Sequence, residues 1–116
     1  MVFHEVRIYE AKINKQEEIE QLMGEVAAFY REQPSVISVA CIKRNHIQKV
    51  FNAAKAGELP IELSRYVGKV TYVLHWIVKD KEVHGTVTKL GIEKYYKRWN
   101  HCLTTIPKIL LGEETS

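Results

Sequence analysis

Hydrophobic and polar positions along the chain change period several times, and the changes mark the elements. Residues 2–9, VFHEVRIY, alternate as a strand does, with Val2, His4, Val6 and Ile8 on one face and Phe3, Glu5, Arg7 and Tyr9 on the other. Helical spacing follows. Asn14 and Glu17 stand at capping-box distance and place the helix start near Asn14. Ile19, Leu22, Met23, Val26 and Tyr30 form its apolar stripe, opposite Glu17, Glu20, Gln21 and Arg31. Gln33-Pro34 ends it, because a residue preceding proline avoids helical backbone. Residues 35–43, SVISVACIK, read as a strand that is apolar on both sides. Residues 46–56 read as a short helix carrying Ile47, Val50, Phe51 and Ala54, with Gly57 as its stop. VTYVLHWIV, residues 70–78, is a third strand, again apolar on both faces: Val70, Tyr72, Leu74, Trp76 and Val78 against Thr71, Val73, His75 and Ile77. A last helix carries Ile92, Tyr95, Tyr96, Trp99, Cys102, Leu103 and Ile106 at helical spacing, with Gly91 dividing it from a preceding turn over 82–90. Pro107 stops it, Lys108 to Leu111 read as a fourth strand, and Glu113 to Ser116 as a frayed tail.

The order is βαββαβ, so the expected class is α+β and ferredoxin-like: one domain over residues 1–116, with an antiparallel sheet, two main helices on one face and an inserted helical segment at 44–67. Helices on one side leave the other side of the sheet open. In a monomer that face should be polar, yet the second and third strands are apolar on both sides. An apolar patch of that size marks an interface, and the economical cover is a second copy related by a twofold axis. The expectation is a homodimer joined sheet to sheet. Its competitor is a 44–67 segment folded back over the open face.

Composition changes this picture little. The chain has 116 residues, 46% hydrophobic and 27% charged, with a formal net charge of +3 spread without a basic cluster. Neither a basic stripe nor an aromatic RNA-binding signature is present, which argues against nucleic-acid binding. The two cysteines, Cys41 and Cys102, have no metal-ligand or redox-pair spacing and read as small buried hydrophobes. The start of the sequence lacks the basic and apolar regions of a signal peptide. No apolar run reaches the ~20 residues of a membrane span. A cytoplasmic location, without membrane partners, is the expectation.

Two short motifs carry a resemblance. Glu5-Val-Arg-Ile-Tyr9 resembles the E-x-R-x-Y opening strand of NIPSNAP-type proteins. Trp76 through His84, WIVKDKEVH, is similar to the monooxygenase-like pattern in which a strand-ending Trp precedes a helix His, although its spacing is one residue shorter than the commoner form. On these residues the chain resembles the dimeric α+β barrel superfamily, which includes the antibiotic-biosynthesis monooxygenases and the stress-responsive barrel proteins. The resemblance spans residues 2–43 and 68–106; the 44–67 insertion departs from it. It implies a sheet-to-sheet homodimer and a small aromatic ligand held between the sheet and the helices of each protomer.

Candidates for that site are the side chains able to point there: His4, Tyr72 and Trp76 or else His75, and from the last helix Trp99, Asn100 and His101. Each also has an ordinary reading, as core aromatic, hydrogen-bonded structural histidine or exposed helix residue. Three functions follow. The first is a cofactor-independent, monooxygenase-like enzyme that oxidises an electron-rich aromatic with O₂; it needs a general base near neutrality, which points to His75 or His84. The second is a haem-binding or haem-degrading protein with His84 or His101 as axial ligand. The third is a non-catalytic module binding a ligand or partner, with the basic helix at 46–56 (Lys43, Arg44, Lys49 and Lys55 nearby) as a lid or docking element. No H-E-x-x-H or facial histidine–carboxylate spacing points to a metal.

Overall fold

The computed structural model describes residues 1–116. β1 (Phe3–Lys12) leads through a 3₁₀ turn (Ile13–Lys15) into α1 (Gln16–Glu32), then β2 (Val36–Lys43), β3 (His46–Ile47), α2 (Phe51–Lys55), β4 (Ile61–Glu62), β5 (Lys69–Val78), α3 (Lys81–Cys102) and β6 (Lys108–Glu113). The main sheet runs β2-β5-β1-β6 with every neighbour antiparallel, the ferredoxin-like order. Both long helices lie on one face.

Register settles which side chains they cover. Glu5, Arg7 and Tyr9 of β1 pair with Trp76, Leu74 and Tyr72 of β5, and all six are buried beneath the helices. His4, Val6 and Ile8 pair with Ile77, His75 and Val73 on the opposite, open face. The strand's charged side is therefore its inner side, while its apolar side faces outward. The open face extends across β2 and β6, where Ile42 and Leu110 are more than half exposed.

α1 buries the expected stripe, from Ile19 to Tyr30. The expected capping box at Asn14 does not form: Lys15 takes the N-cap position and no side chain caps the helix. Asn14 lies inside the 3₁₀ turn, so its backbone is not in the extended form an N-cap requires.

α3 is one continuous helix through Gly91, started by the Asp80 carboxylate, which accepts from Val83 N–H at 2.9 Å. Its buried stripe is His84, Val87, Gly91, Tyr95, Trp99 and Cys102, whereas Ile92, Tyr96 and Ile106 are mostly exposed. Gly91 lies against Tyr30 of α1, and a Cβ there would stand 2.7 Å from Tyr30 Oη and 3.0 Å from its Cε1. Tyr30 has little freedom to retreat, since its ring packs on Trp76 with centroids 4.3 Å apart. Gly91→Val is expected to cost about 1–3 kcal/mol through overpacking, read as a lower urea midpoint at unchanged slope. A Gly91→Ala protein more stable than the parent would show that helix propensity, worth ~1 kcal/mol here, outweighs this contact.

The 44–67 segment differs from the expected helix. His46 and Ile47 pair with Glu62 and Ile61, forming a two-stranded arm with the five-residue α2 near its tip. Val50, Phe51, Leu59, Ile61 and Val67 are exposed along it. The arm does not fold back as a cover: the open sheet face keeps its exposed apolar side chains. Cys41, expected in the core, is exposed because β2 is an edge strand; Cys102 is buried.

Candidate active site

The inner face of β1, the inner face of β6 and one side of α3 enclose a cavity of about 300 Å³. Its polar end is made by Glu5, Arg7, His84 and Thr88; its apolar walls include Trp99, Tyr96, Leu103, Pro107, Ile109 and Leu111. Strand alternation aims Glu5, Arg7 and Tyr9 inward together, and antiparallel pairing places Ile109 and Leu111 beside them.

Glu5 is the centre of the polar end, 1% exposed. Its Oε2 accepts from Trp76 Nε1 at 2.7 Å and from an Arg7 Nη at 2.8 Å. Its Oε1 lies 2.7 Å from His84 Nε2. Burial on its own would push this carboxyl up, but the His84 hydrogen bond, the Arg7 charge and the Trp76 N–H overcome it and hold the carboxyl below its ordinary range. The carboxylate is thus ionised at neutral pH and acts as acceptor, so His84 Nε2 carries the proton.

That assignment leaves Nδ1 as the second ring nitrogen of His84. Nδ1 has no hydrogen bond to the protein, and it is not among the sealed, unpartnered buried atoms. The ring is held flat against Trp76, centroids 5.0 Å apart and planes 28° apart, with Phe3 tilted on it at 5.0 Å. Thr88 Oγ1, one helical turn on, stands 3.4 Å from Nε2. A carboxylate fixing one imidazole nitrogen while the other remains free is the arrangement that orients a general base.

The sequence candidates fall into four places. His84, Trp99 and Asn100 line the cavity, and Trp76 lies directly behind its polar end, bonded to Glu5. His4 and His75 lie on the open face, where His4 Nδ1 is 3.0 Å from His75 Nε2 and His4 Nε2 is 3.5 Å from Glu114. They point away from the cavity because the charged rather than the apolar side of β1 is the inner one. Tyr72 faces the helices at the far end of the sheet and donates to Glu20 at 2.7 Å, in a separate groove with Arg31, Cys41 and Lys43. Burial and the Glu20 carboxylate both raise its phenol. His101 is exposed beside Glu18, in a surface groove between α1 and α3.

Of the two histidines expected as axial haem ligands, His101 lies outside the cavity and His84 has its Nε2 bonded to Glu5. Glu5, Arg7, Tyr9, Tyr30 and Thr88 belong to the site although residue-by-residue reading did not select them. The signal was present in the opening motif: opposite charges two apart on a strand share a face and can neutralise each other when buried.

No family model and no curated protein matches the chain. Solved structures do. Rv0793 from Mycobacterium tuberculosis superposes with a TM-score of 0.69 at 8% identity, over 100% of this chain and 97% of its own. SnoaB, a cofactor-independent oxygenase from Streptomyces nogalater, superposes with a TM-score of 0.66 at 12% identity, over 99% of this chain and 94% of its own. The fold they share with this chain is the ferredoxin-like α+β arrangement described above. A third structure, At3g17210 from Arabidopsis thaliana, matches with a TM-score of 0.66 at 14% identity, over 100% of this chain and 97% of its own. Identities this low establish the fold alone. No helix of the chain is long and apolar enough to cross a membrane.

Proposed function

We propose that this α+β barrel protein binds a small aromatic molecule in the cavity between β1, β6 and α3, and oxidises it with O₂ without a cofactor. The observation that carries the reading is the Glu5–His84 pair at the polar end of the cavity. The SnoaB likeness supports the fold being compatible with such chemistry. In an oxygenation with no external reductant, the substrate supplies the electrons. Conversion of a ring CH₂ to C=O releases four; O₂ takes them up as one oxygen atom in the product and one in water. Removing a proton first makes the ring electron-rich enough to begin, and His84 Nδ1 is the base assigned to that step. Oxygen consumption by the purified protein against a panel of anthrones, quinols and polyphenols tests the reading. Uptake above the buffer rate with at least one of them is expected; binding without uptake across the panel would make the protein a carrier instead.

The assembly assigned to it is a homodimer through the open face. Val6, Ile8, Val73, Ile77, Ile42 and Leu110 form an apolar surface there that the arm leaves uncovered. A twofold axis places any substitution in the interface twice. Val73→Lys, at the middle of that face, is expected to shift the protein from dimer to monomer in sedimentation velocity at micromolar concentration. A parent protein that already sediments as a monomer would refute the assembly.

A further inference from the structure

The arm over residues 44–67 contains no buried residue. It draws the molecule out to 43 Å along one axis against 21 Å along another, with a radius of gyration of 15.9 Å. A compact domain of this length has roughly 13 Å. A lone two-stranded hairpin is marginal in water, yet this one also exposes Val50, Phe51, Leu59, Ile61 and Val67. These residues run from base to tip: Val67 is 78% exposed and Leu59 85%. A membrane surface would need apolar groups at the tip alone. Apolar groups along the whole length fit a surface that the arm lies against, and that surface is a protein.

Charge narrows the choice. Arg44, Lys49, Lys55 and Arg65 make no ion pair within the chain, and the only acids of the arm are Glu58 and Glu62. The arm is therefore a net cation. It leaves the sheet at one corner, so in a face-to-face pair of sheets it passes a corner of the other copy. At the arm's own end of the sheet the four strands begin or finish with Lys43, Lys69, Lys12 and Lys108, which repel it. At the opposite end, the β2 corner matches Glu32 and Asp80 with Lys79 and Lys81. The β6 corner alone has an acidic excess. Glu113 has no ion pair there, and Glu114 has only His4, at 3.5 Å. Leu110 and Leu111 stand exposed beside them.

We infer that the arm docks on a second copy of this chain, along the corner where β6 ends, with its apolar side on Leu110 and Leu111 and its cations beside Glu113 and Glu114. Leu111 also lines the ligand cavity. Each arm thus backs the wall of the other copy's site, and that wall is complete only in the pair. The inference rests on the homodimer proposed above and adds where its arms go.

The test is cross-linking between two full-length proteins. One carries Leu59→Cys and the other Thr115→Cys, both with Cys41→Ser to remove the exposed native thiol. Both substituted positions are exposed, and Thr115→Cys spares the two acids. The proteins are mixed, allowed to exchange and treated with a short bis-maleimide, and the linked peptides are read by mass spectrometry. The expected product joins residue 59 of one chain to residue 115 of the other. Phe51→Ser should weaken the dimer by at least about tenfold in sedimentation, the factor for one large apolar side chain returned to water. Links from residue 59 to residue 59 would put arm on arm and overturn the inference. So would an unlinked mixture, or a Phe51→Ser protein that dimerises as the parent does. Binding of the parent to phosphatidylserine vesicles, lost in Phe51→Ser and without the 59–115 link, would overturn it in favour of a membrane surface. Sedimentation is scored separately: a dimer without the link sinks the arm's placement and leaves the homodimer standing, whereas a monomer sinks both.

Discussion

Glu5→Ala is expected to destabilise the protein by about 3–5 kcal/mol, the usual cost of removing one partner from a buried ion pair. Three groups lose their acceptor at once: the Arg7 guanidinium, the Trp76 indole N–H and His84 Nε2. Of these Arg7 matters most, because it remains charged at any accessible pH. Its guanidinium is held above its already high ordinary value, the neighbouring Tyr9 and Glu5 outweighing the effect of burial. Urea denaturation measures the loss. The double variant Glu5→Leu/Arg7→Leu separates charge from packing, since removing both partners is far less damaging than stranding one. A double variant as unstable as Glu5→Ala would mean that the pair is not the source. The same carboxylate sets a pH dependence. Its folded pKa lies below its ordinary 4.5, so the folded state binds the proton less readily than the unfolded chain. The stabilisation is complete above that ordinary value and drains away as pH falls through the lower folded one. Acid unfolding of the parent should therefore steepen in that window, and the steepening should be absent from the Glu5→Leu/Arg7→Leu protein.

His84→Ala should lower any oxygen-uptake rate by about 10²–10⁴-fold, the usual contribution of a positioned general base. Alanine also removes a hydrogen bond to Glu5, so lost activity alone would not separate chemistry from folding. His84→Gln is the sharper variant: its amide N–H₂ can still donate to Glu5, but it offers no nitrogen that takes up a proton. Initial rates on the most active panel compound, with folded protein matched by circular dichroism, decide the matter. A His84→Gln protein that keeps the parental rate would remove His84 from the chemistry. His75→Ala is the internal control. Its ring is on the opposite side of the sheet, bonded to His4, so the variant should leave the rate essentially unchanged.

Much of this architecture was legible from periodicity. The βαββαβ order, α1 with its stripe and the two-faced apolar β5 all follow from local spacing. Local spacing could not orient β1. His4, on the Val6 and Ile8 face, was a candidate for the site, and the structure turns the Glu5 and Arg7 face inward instead. Whether a charged pair can be buried depends on partners elsewhere in the chain, and Glu5 finds His84 79 residues away. His75 was open to either face, and the pairing of β5 with β1 puts it beside His4 on the open one. Along α3 the error was smaller: Gly91 looked like a break, and it is instead a contact made by the absence of a side chain, which the sequence shows only once Tyr30 is placed against it. The expected base was His75 or His84, and the carboxylate beside His84 is visible only once β1 and α3 are placed together.

The sheet order has a consequence for synthesis. β1 and β2 do not pair with each other; both pair with β5, and the remaining edge of β1 pairs with β6. As the chain leaves the ribosome, β1 and β2 have no sheet partner until residues 69–78 emerge. At roughly 5–20 residues per second, β1 waits several seconds as an unpaired strand. Throughout that interval Val6, Ile8, Ile37 and Ile42 have no sheet to pack into. Translation speed across the arm therefore sets how long β1 and β2 wait before the first sheet hydrogen bonds form.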